Sequence, residues 1–502
     1  MTVLPETPST PVEDTQDTRA TSSAVEVPAE RFPHWRELVG GGLYLALLLV
    51  VFRATATPLS NSDTYFHLRF GAEFLHGWSL RHPGSPTTFA TASWLPTQWL
   101  PEMAMAQTER WFGLAGVAWL LGLMLLALLA TLYLTARRWV GPLAATGLTA
   151  AAMFTSFFDL SMRPQVISFL LVAVTVGAWL RTREDGRVRW WLVPMTWVWA
   201  MTHGMWPVGI GLGVVAVAGM ALDRALPRDV LKRAALVPVL SAVVAALTPV
   251  GPALYGAVLG VGSRAHYFSE WGTPTFTRPG NVVLLVVLGL CLMLMLRRTD
   301  RSQLDLALLL TAGACAVWSW RTVPVAAIIL VPLVAVQARA LRTRPTDAPR
   351  RPERLLVAGV SVAALAALAV VVPQTSDQPP SQPSWMDPAL SALPAGTKVL
   401  DSWDYGGYLM WRYPQLDLLM HGYGDTFTLD ELARNTDILG VAPGWDDELR
   451  ATGCTIAVIR STTALGYALI HQEHWTVLHR SPTVAELQAP PGWFDGSGGG
   501  GA

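Results

Sequence analysis

Between residues 37 and 373 the chain is a succession of apolar runs separated by short polar loops. A bilayer core about 30 Å thick requires roughly 17 to 25 mainly apolar residues per crossing helix. Inside it every backbone amide must be satisfied within its own segment. Such a chain can fold only as a bundle of membrane helices. A window of this length finds about eleven spans, centred near Leu47, Leu125, Thr149, Val172, Met195, Val214, Ala242, Leu288, Leu310, Ile329 and Ala364. With 52% of its 502 residues apolar and 14% charged, the chain lies outside the soluble globular range.

Orientation follows from the basic residues of the short loops. Arg137 and Arg138 follow the second span, Arg181, Arg183, Arg187 and Arg189 the fourth, and Arg224, Arg228, Lys232 and Arg233 the sixth. Arg297, Arg298 and Arg301 follow the eighth, and Arg339, Arg342, Arg344, Arg350, Arg351 and Arg354 the tenth. Every even-numbered exit is basic, so the amino terminus is expected in the cytoplasm and the carboxy-terminal region outside. Residues 1–36, rich in Thr, Ser, Pro and Glu, read as a disordered cytoplasmic tail without a cleavable signal peptide. The glycine-rich 491–502 read as a flexible tail. A formal net charge of zero argues against a nucleic-acid partner. Cys291, Cys315 and Cys454 have neither disulfide-framework nor metal-ligand spacing.

With this topology the polar residues that are costly near a membrane collect on the outer side. Asp63 and His67 fall in the long first outside loop, 56–111, Asp159 and Arg163 in the second, His203 in the third and Glu270 in the fourth, while Arg321 opens the tenth span from the same side. One such residue is ordinarily an interfacial side chain reaching for headgroups. Seven on one face point to a shared site. The pattern from Asp63 to Gly77 predicts a short interfacial amphipathic helix, with Asp63 and His67 four apart on one face. A second amphipathic helix is expected from Trp94 to Trp111, with Glu102 as its notable carboxylate.

Here the residues resemble a family. Asp63-x-x-x-His67-Leu68, Pro86-Thr87-Thr88-Phe89, Trp99-Leu100-x-Glu102, Arg163-Pro164-Gln165, Trp199-x-x-x-His203-Gly204, Thr248-Pro249-x-Gly251 and Glu270-Trp271 occur in that order. Gly406-Gly407-Tyr408-Leu409-x-Trp411 completes the series. In order and spacing this set is similar to bacterial multi-span glycosyltransferases of the GT-C class. The resemblance implies a plasma-membrane enzyme embedded among lipids, with a polyprenyl-phosphate-linked sugar as donor and a glycan, lipid or protein as extracytoplasmic acceptor. It also implies that an acidic residue of the first outside loop, here Asp63, is the base or binds a metal. Glu270 is a second catalytic candidate. Arg163 and Arg321 suit phosphate, because guanidinium forks match phosphate oxygens. His67, His203, Glu102 and Trp271 join them as substrate-binding candidates, the histidines as phosphate donors or metal ligands and Trp271 as a platform for a sugar ring.

Oligosaccharyltransferase catalytic subunits of this class carry Trp-Trp-Asp-Tyr-Gly in their outside domain. The chain has Ser402-Trp403-Asp404-Tyr405-Gly406, with Ser402 in place of the first Trp, which makes Asp404 and Tyr405, together with His421, acceptor-contact candidates. The same subunits hold a divalent metal. Asp63, Asp159 and Glu270 occupy comparable loops and are the candidate ligands for Mg or Mn, although the second loop lacks an Asp-x-Asp pair.

Beyond the last span, 374–394 is rich in Pro, Ser and Gln and reads as a linker. From 395 to 490 short apolar runs alternate with helical patterns, which predicts a small extracytoplasmic α/β domain. The fold class expected is thus a polytopic α-helical membrane protein, GT-C-like, with this domain appended. A transporter or lipid flippase is the first alternative, but its cues of broken helices, mid-span charges and internal repeats are not found. A non-catalytic membrane scaffold with a partner-binding outside domain is the second. It would tolerate neutralising Asp63 and Arg163 together.

Overall fold

A computed structural model describes residues 35–341 and 348–494. The expected amino-terminal tail up to residue 34, Arg342 and Arg344, and the glycine-rich end from 495 lie outside the described residues. The membrane region is built from α1 (Trp35–Thr55), α2 (Ser62–Leu75), α3 (Trp99–Arg137), α4 (Pro142–Thr155), α5 (Gln165–Asp185), α6 (Leu192–Ala200) and α7 (Trp206–Leu222). It continues with α8 (Arg228–Ala245), α9 (Ala253–Arg264), α10 (Pro279–Leu296), α11 (Gln303–Trp318), α12 (Val323–Ala340) and α13 (Arg351–Thr375). Each of the eleven expected centres falls inside one of these helices. Six segments are long and apolar enough to cross a membrane: Glu37–Thr55, Trp99–Arg137, Gln165–Asp185, Pro279–Leu296, Trp320–Ala340 and Arg351–Thr375. Shorter apolar helices occupy Pro142–Thr155, Trp206–Leu222 and Gln303–Trp318. At nine residues, α6 rises only about 14 Å.

Hydrophobicity on all sides is the mark of a helix surrounded by others. In α12 every residue from Val323 to Gln337 is buried, and the helix packs on α3, α4, α5, α10 and α11. By contrast, α1, α8, α10 and α13 leave Leu49, Val239, Val286 and Val362 uncovered, an apolar perimeter of the kind that faces lipid. Both α5 and α12 carry an arginine just before the first turn, Arg163 and Arg321, and another near the end, Arg183 and Arg339. The 21 residues of α5 separate its two ends by about 30 Å. At the far end Arg183 pairs with the buried Asp305 at 2.5 Å, and Gln337 donates to the same carboxylate at 2.8 Å, joining α5, α11 and α12.

The expected interfacial helix is α2. The second amphipathic helix begins at Trp99 and runs on into the span as α3, broken at Gly113, whose φ is +64°. Trp111, the end of the expected amphipathic helix, is exposed. The stretch read as a linker contains a further short helix, α14 (Met386–Ser391), with Met386 and Leu390 buried.

The carboxy-terminal region folds as β1 (Lys398–Leu400), α15 (Trp403–Arg412), β2 (Asp417–Leu418), α16 (Leu429–Gly440), α17 (Trp445–Thr452), β3 (Ile456–Ile459), α18 (Ala464–His471), β4 (Thr476–Arg480) and β5 (Ala485–Gln488). The sheet order is β2-β1-β3-β5-β4, with β1 parallel to β2 and β3 while β5 runs antiparallel to β3 and β4. Buried Ala457, Ile459 and Leu487 supply much of its core. This unit sits on the loop 56–111 between the first two spans. Its α15 packs along α2, Trp411 Nε1 donates to Glu109 at 2.8 Å, Thr91 Oγ1 to Glu431 at 2.6 Å, and Ala92 N–H to the Thr426 carbonyl at 3.0 Å.

Close approach of α15 to α2 requires Gly407. A Cβ there would lie 2.3 Å from the Ser62 carbonyl oxygen, and that backbone cannot swing aside as a flexible side chain does. Gly407→Leu is therefore expected to cost about 1–3 kcal/mol and to loosen the domain from α2. Scanning fluorimetry should show a lower unfolding midpoint and proteinase K should cut faster between 376 and 384. Gly359→Leu, on an open face of α13, should change neither.

Candidate active site

The amino terminus of α2 is built around Asn61. Its Oδ1 accepts from Asp63 N–H at 2.8 Å and caps the helix, while its Nδ2 donates to Ser161 Oγ at 3.0 Å. Thr64 Oγ1 donates to the Met162 carbonyl at 2.9 Å. These bonds fasten the first outside loop to the loop between α4 and α5, although a hundred residues separate them in sequence. Arg163 follows directly. Its Nε donates to Ser161 Oγ at 3.1 Å, its Nη1 to Asp63 Oδ2 at 3.1 Å and to Glu270 Oε2 at 3.4 Å, and its Nη2 lies 3.9 Å from Asp159 Oδ1. Glu270 then reaches Arg321 Nη2 at 2.9 Å through its other oxygen. Arg321 lies over the Trp271 ring, 5.0 Å from its centroid. Trp320 N–H donates to the Gly272 carbonyl at 3.1 Å and fixes the turn that carries Arg321 against the turn that carries Glu270.

Five of the expected site residues therefore form one charged chain. Arg163 keeps only 11% of its side-chain surface, whereas Asp63 and Glu270 keep 33% and 35%. The guanidinium forms the floor and the carboxylates the wet rim. Burial pushes the Asp63 carboxyl up; Arg163 pulls it back, and Glu270 adds to the rise. Burial likewise raises Asp159 to about 6, against the pull of Arg163. Asp63 and Asp159 are therefore harder to ionise than in water.

The metal expectation requires a correction. Among the described residues no three His, Cys, Asp or Glu side chains are grouped so as to hold an ion. Asp63, Asp159 and Glu270 turn instead toward the guanidinium of Arg163, which already supplies positive charge where they converge. The donor set present does not fit a resident divalent cation.

Behind this rim lie the two histidines. His67 is buried and its Nδ1 stands 2.8 Å from Oε1 of the fully buried Glu102. Burial pushes the Glu102 carboxyl well above the usual carboxylate range. His203 is buried beside Ser168, whose Oγ is 3.0 Å from Nδ1. Burial drives both imidazoles well below their usual value, and the fields of Arg163 and Arg321 act in the same direction. Both rings are neutral.

Two other candidates are not part of the cluster. Asp404 is exposed and pairs at 3.4 Å with Arg460. Tyr405 donates its hydroxyl to the Thr483 carbonyl at 3.1 Å, and Arg460 lies over its ring. The helix that carries them turns Gly406 and Gly407 inward, so the neighbouring Asp404 and Tyr405 face the domain's own surface. His421 is fully buried; a Cβ on Gly406 would lie 2.7 Å from its Cα, and its Nε2 is 3.5 Å from Thr426 Oγ1.

The carboxy-terminal domain reaches the site through its loop 420–427. Tyr423 packs on Phe66 and Phe70, and Gly424 lies against the Phe268 ring. Burial raises the Asp425 carboxyl, opposed by Arg264 and Arg321. The sequence reading missed Asn61, Ser161, Ser168 and Asp425. Only Asn61 carried a local signal, as an Asn two residues before Asp63 at a helix start.

An apolar cavity of about 980 Å³ opens beside the cluster. It is lined by Leu47 of α1, Leu125 of α3, Met153 of α4 and Phe158, and it ends at Asn61 and Ser161, the residues that hold Asp63 and Arg163.

No family model and no curated protein sequence matches this chain. Solved structures do. An oligosaccharyltransferase of Archaeoglobus fulgidus in the apo form is 14% identical, with a TM-score of 0.53 over 85% of this chain and 69% of that one. AglB from the same organism, in complex with an inhibitory peptide and a dolichol-phosphate, is 13% identical, with a TM-score of 0.53 over 83% of this chain and 69% of that one. ArnT of Cupriavidus metallidurans bound to undecaprenyl phosphate is 16% identical, with a TM-score of 0.52 over 90% of this chain and 98% of that one. The chain has the fold of the GT-C glycosyltransferases, the class its motifs resemble.

Proposed function

We propose that this protein is a membrane glycosyltransferase that takes a sugar from a polyprenyl-phosphate carrier and passes it to an acceptor outside a bacterial plasma membrane. The acceptor is a cell-envelope glycan, a lipid or a protein. The observation that carries this reading is the adjacency of two unlike environments. Arg163 and Arg321, bridged by Glu270, offer guanidinium donors for a phosphate. The apolar cavity that shares Asn61 and Ser161 with them suits an isoprenoid chain. A lipid-linked phosphosugar has these two halves in the same order.

In this reading the acceptor oxygen attacks the anomeric carbon as the bond from that carbon to the phosphate oxygen breaks. The phosphate leaves with the electron pair, and the arginines offset its charge. Asp63 receives the hydroxyl proton. Attack from the face opposite the phosphate inverts the anomeric centre. An incoming phosphate competes with Asp63 for the same Arg163 N–H groups, so donor binding frees the carboxylate to act as base. No step passes through a metal. Eleven spans, a cytoplasmic amino terminus and an extracytoplasmic carboxy-terminal domain belong to the same reading, supported by the basic residues at the bundle end opposite Asp63. Loop 420–427 of that domain, beside Arg321, is the surface we assign to the acceptor.

Binding and transfer separate the roles. With undecaprenyl phosphate as ligand, Arg163→Gln should weaken binding by roughly tenfold to a hundredfold, the effect of one lost hydrogen bond to a charged group. Asp63→Asn should bind at least as well as the wild type. Release of undecaprenyl phosphate from a panel of synthetic undecaprenyl-phosphate pentoses and hexoses should fall roughly a hundredfold to ten-thousandfold in Asp63→Asn. Near-normal turnover there would remove Asp63 from the mechanism, whereas a flippase reading predicts no release of undecaprenyl phosphate even by the wild type.

The pH profile gives a second check. A base must be ionised, and the Asp63 carboxyl is raised, so kcat/KM should decline on the acid side at a pH above the ordinary carboxylate value of about 3.9. An acid limb at or below that value would exclude Asp63 as the titrating base.

A further inference from the structure

For His203 the hydrogen bonds decide what the ring can offer a ligand. Its Nδ1 is 3.3 Å from the backbone N–H of Met205, which can only donate. The same nitrogen is 3.0 Å from Ser168 Oγ. That oxygen receives the indole N–H of Trp199 at 2.8 Å, and an indole nitrogen can only donate. Ser168 is left to give its own O–H to Nδ1. Two independent donors thus converge on Nδ1, which must carry the lone pair, and the proton of the neutral ring is held on Nε2.

The surroundings favour this neutral form. His203 is 6% exposed. Burial, then Arg321, then Arg163 oppose its protonation. With Nδ1 committed to Ser168 and Met205, Nε2–H is the remaining polar atom of the ring, and the two arginines assigned to phosphate are the charges that act most strongly on it. Trp199, which holds Ser168, is fully buried and packs against Gly209 at a distance that leaves no room for a Cβ. The ring is thus held at Nδ1 by Ser168 and Met205.

We infer that Ser168, Trp199 and the Met205 amide lock His203 as an Nε2–H donor to the phosphate of the lipid carrier, with Ser168 a positioning residue that never touches the ligand. The inference rests on the polyprenyl-phosphate reading and deepens it. A neutral donor adds a hydrogen bond to the leaving phosphate without a third full charge beside Arg163 and Arg321. It also rejects a carrier group that offers no acceptor oxygen at that point.

Two substitutions separate this role from a structural one, because glutamine and asparagine reproduce different nitrogens of the ring. A Gln amide reaches the Nε2 position and can donate there. An Asn amide reaches the Nδ1 position and can keep the bonds to Ser168 and Met205. Binding of undecaprenyl phosphate to the purified full chain would be measured by native mass spectrometry, with scanning fluorimetry to establish that each variant is folded. His203→Asn should bind about tenfold more weakly than the wild type, and His203→Gln within about threefold of it. Ser168→Ala, which removes one of the two locks, should weaken binding by about threefold with little change in the unfolding midpoint. A merely structural histidine predicts the reverse order, with Asn tolerated and Gln not. That order, or wild-type affinity in all three variants, would overturn the inference while the carrier reading stands. Absence of saturable binding by the wild type would overturn both.

Discussion

A single guanidinium organises one end of the helix bundle. Arg163 is almost buried, and a cation taken out of water persists only where opposite charge and hydrogen-bond acceptors surround it. Ser161, Asp63, Glu270 and Asp159 provide these. Each carboxylate comes from a different interhelical segment, so satisfying one arginine brings the start of α2, the turn after α4 and the turn before α10 to the same place. Glu270 extends the chain to Arg321 and thus to the start of α12, the most enclosed helix of the bundle. The resulting geometry is a consequence of charge compensation at the mouth of an apolar scaffold.

The same arrangement explains why the site is poised rather than closed. Both arginines are occupied by carboxylates, yet those carboxylates keep about a third of their surface, so an anion from the cavity side can exchange with them. The histidines behind them are held neutral, each by a different partner, and add directed hydrogen bonds without more charge. Above them the carboxy-terminal domain is fixed by backbone-close contacts at Gly407 and by the Tyr423 ring among Phe66 and Phe70. The domain forms a wall of the site through loop 420–427, while its Asp404-Tyr405 pair lies on its far surface.

Much of the architecture was legible in the chain. Hydropathy located helices at all eleven centres, and the charge sorting set Asp63, Asp159, Arg163, Glu270 and Arg321 on one side, where the fold brings them together. The short apolar runs and helical patterns after residue 395 located the strands and helices of the small α/β region. Asp404 and Tyr405 lie apart from the charged cluster, because a short string does not say which way a helix is rolled. The metal expectation fails on arrangement, because a list of carboxylates does not reveal that a guanidinium stands among them.

Sequence alone determined the class of environment, the helices and the list of costly polar residues, since burial preference is a local property that sums along each segment. Tertiary structure alone decided which of those residues touch, that Arg163 stands where the carboxylates converge, and which nitrogen of His203 carries the proton. These depend on the packing and rotation of helices separated by up to hundreds of residues. A change of a few ångströms there exchanges one hydrogen-bond partner for another while every local pattern stays the same.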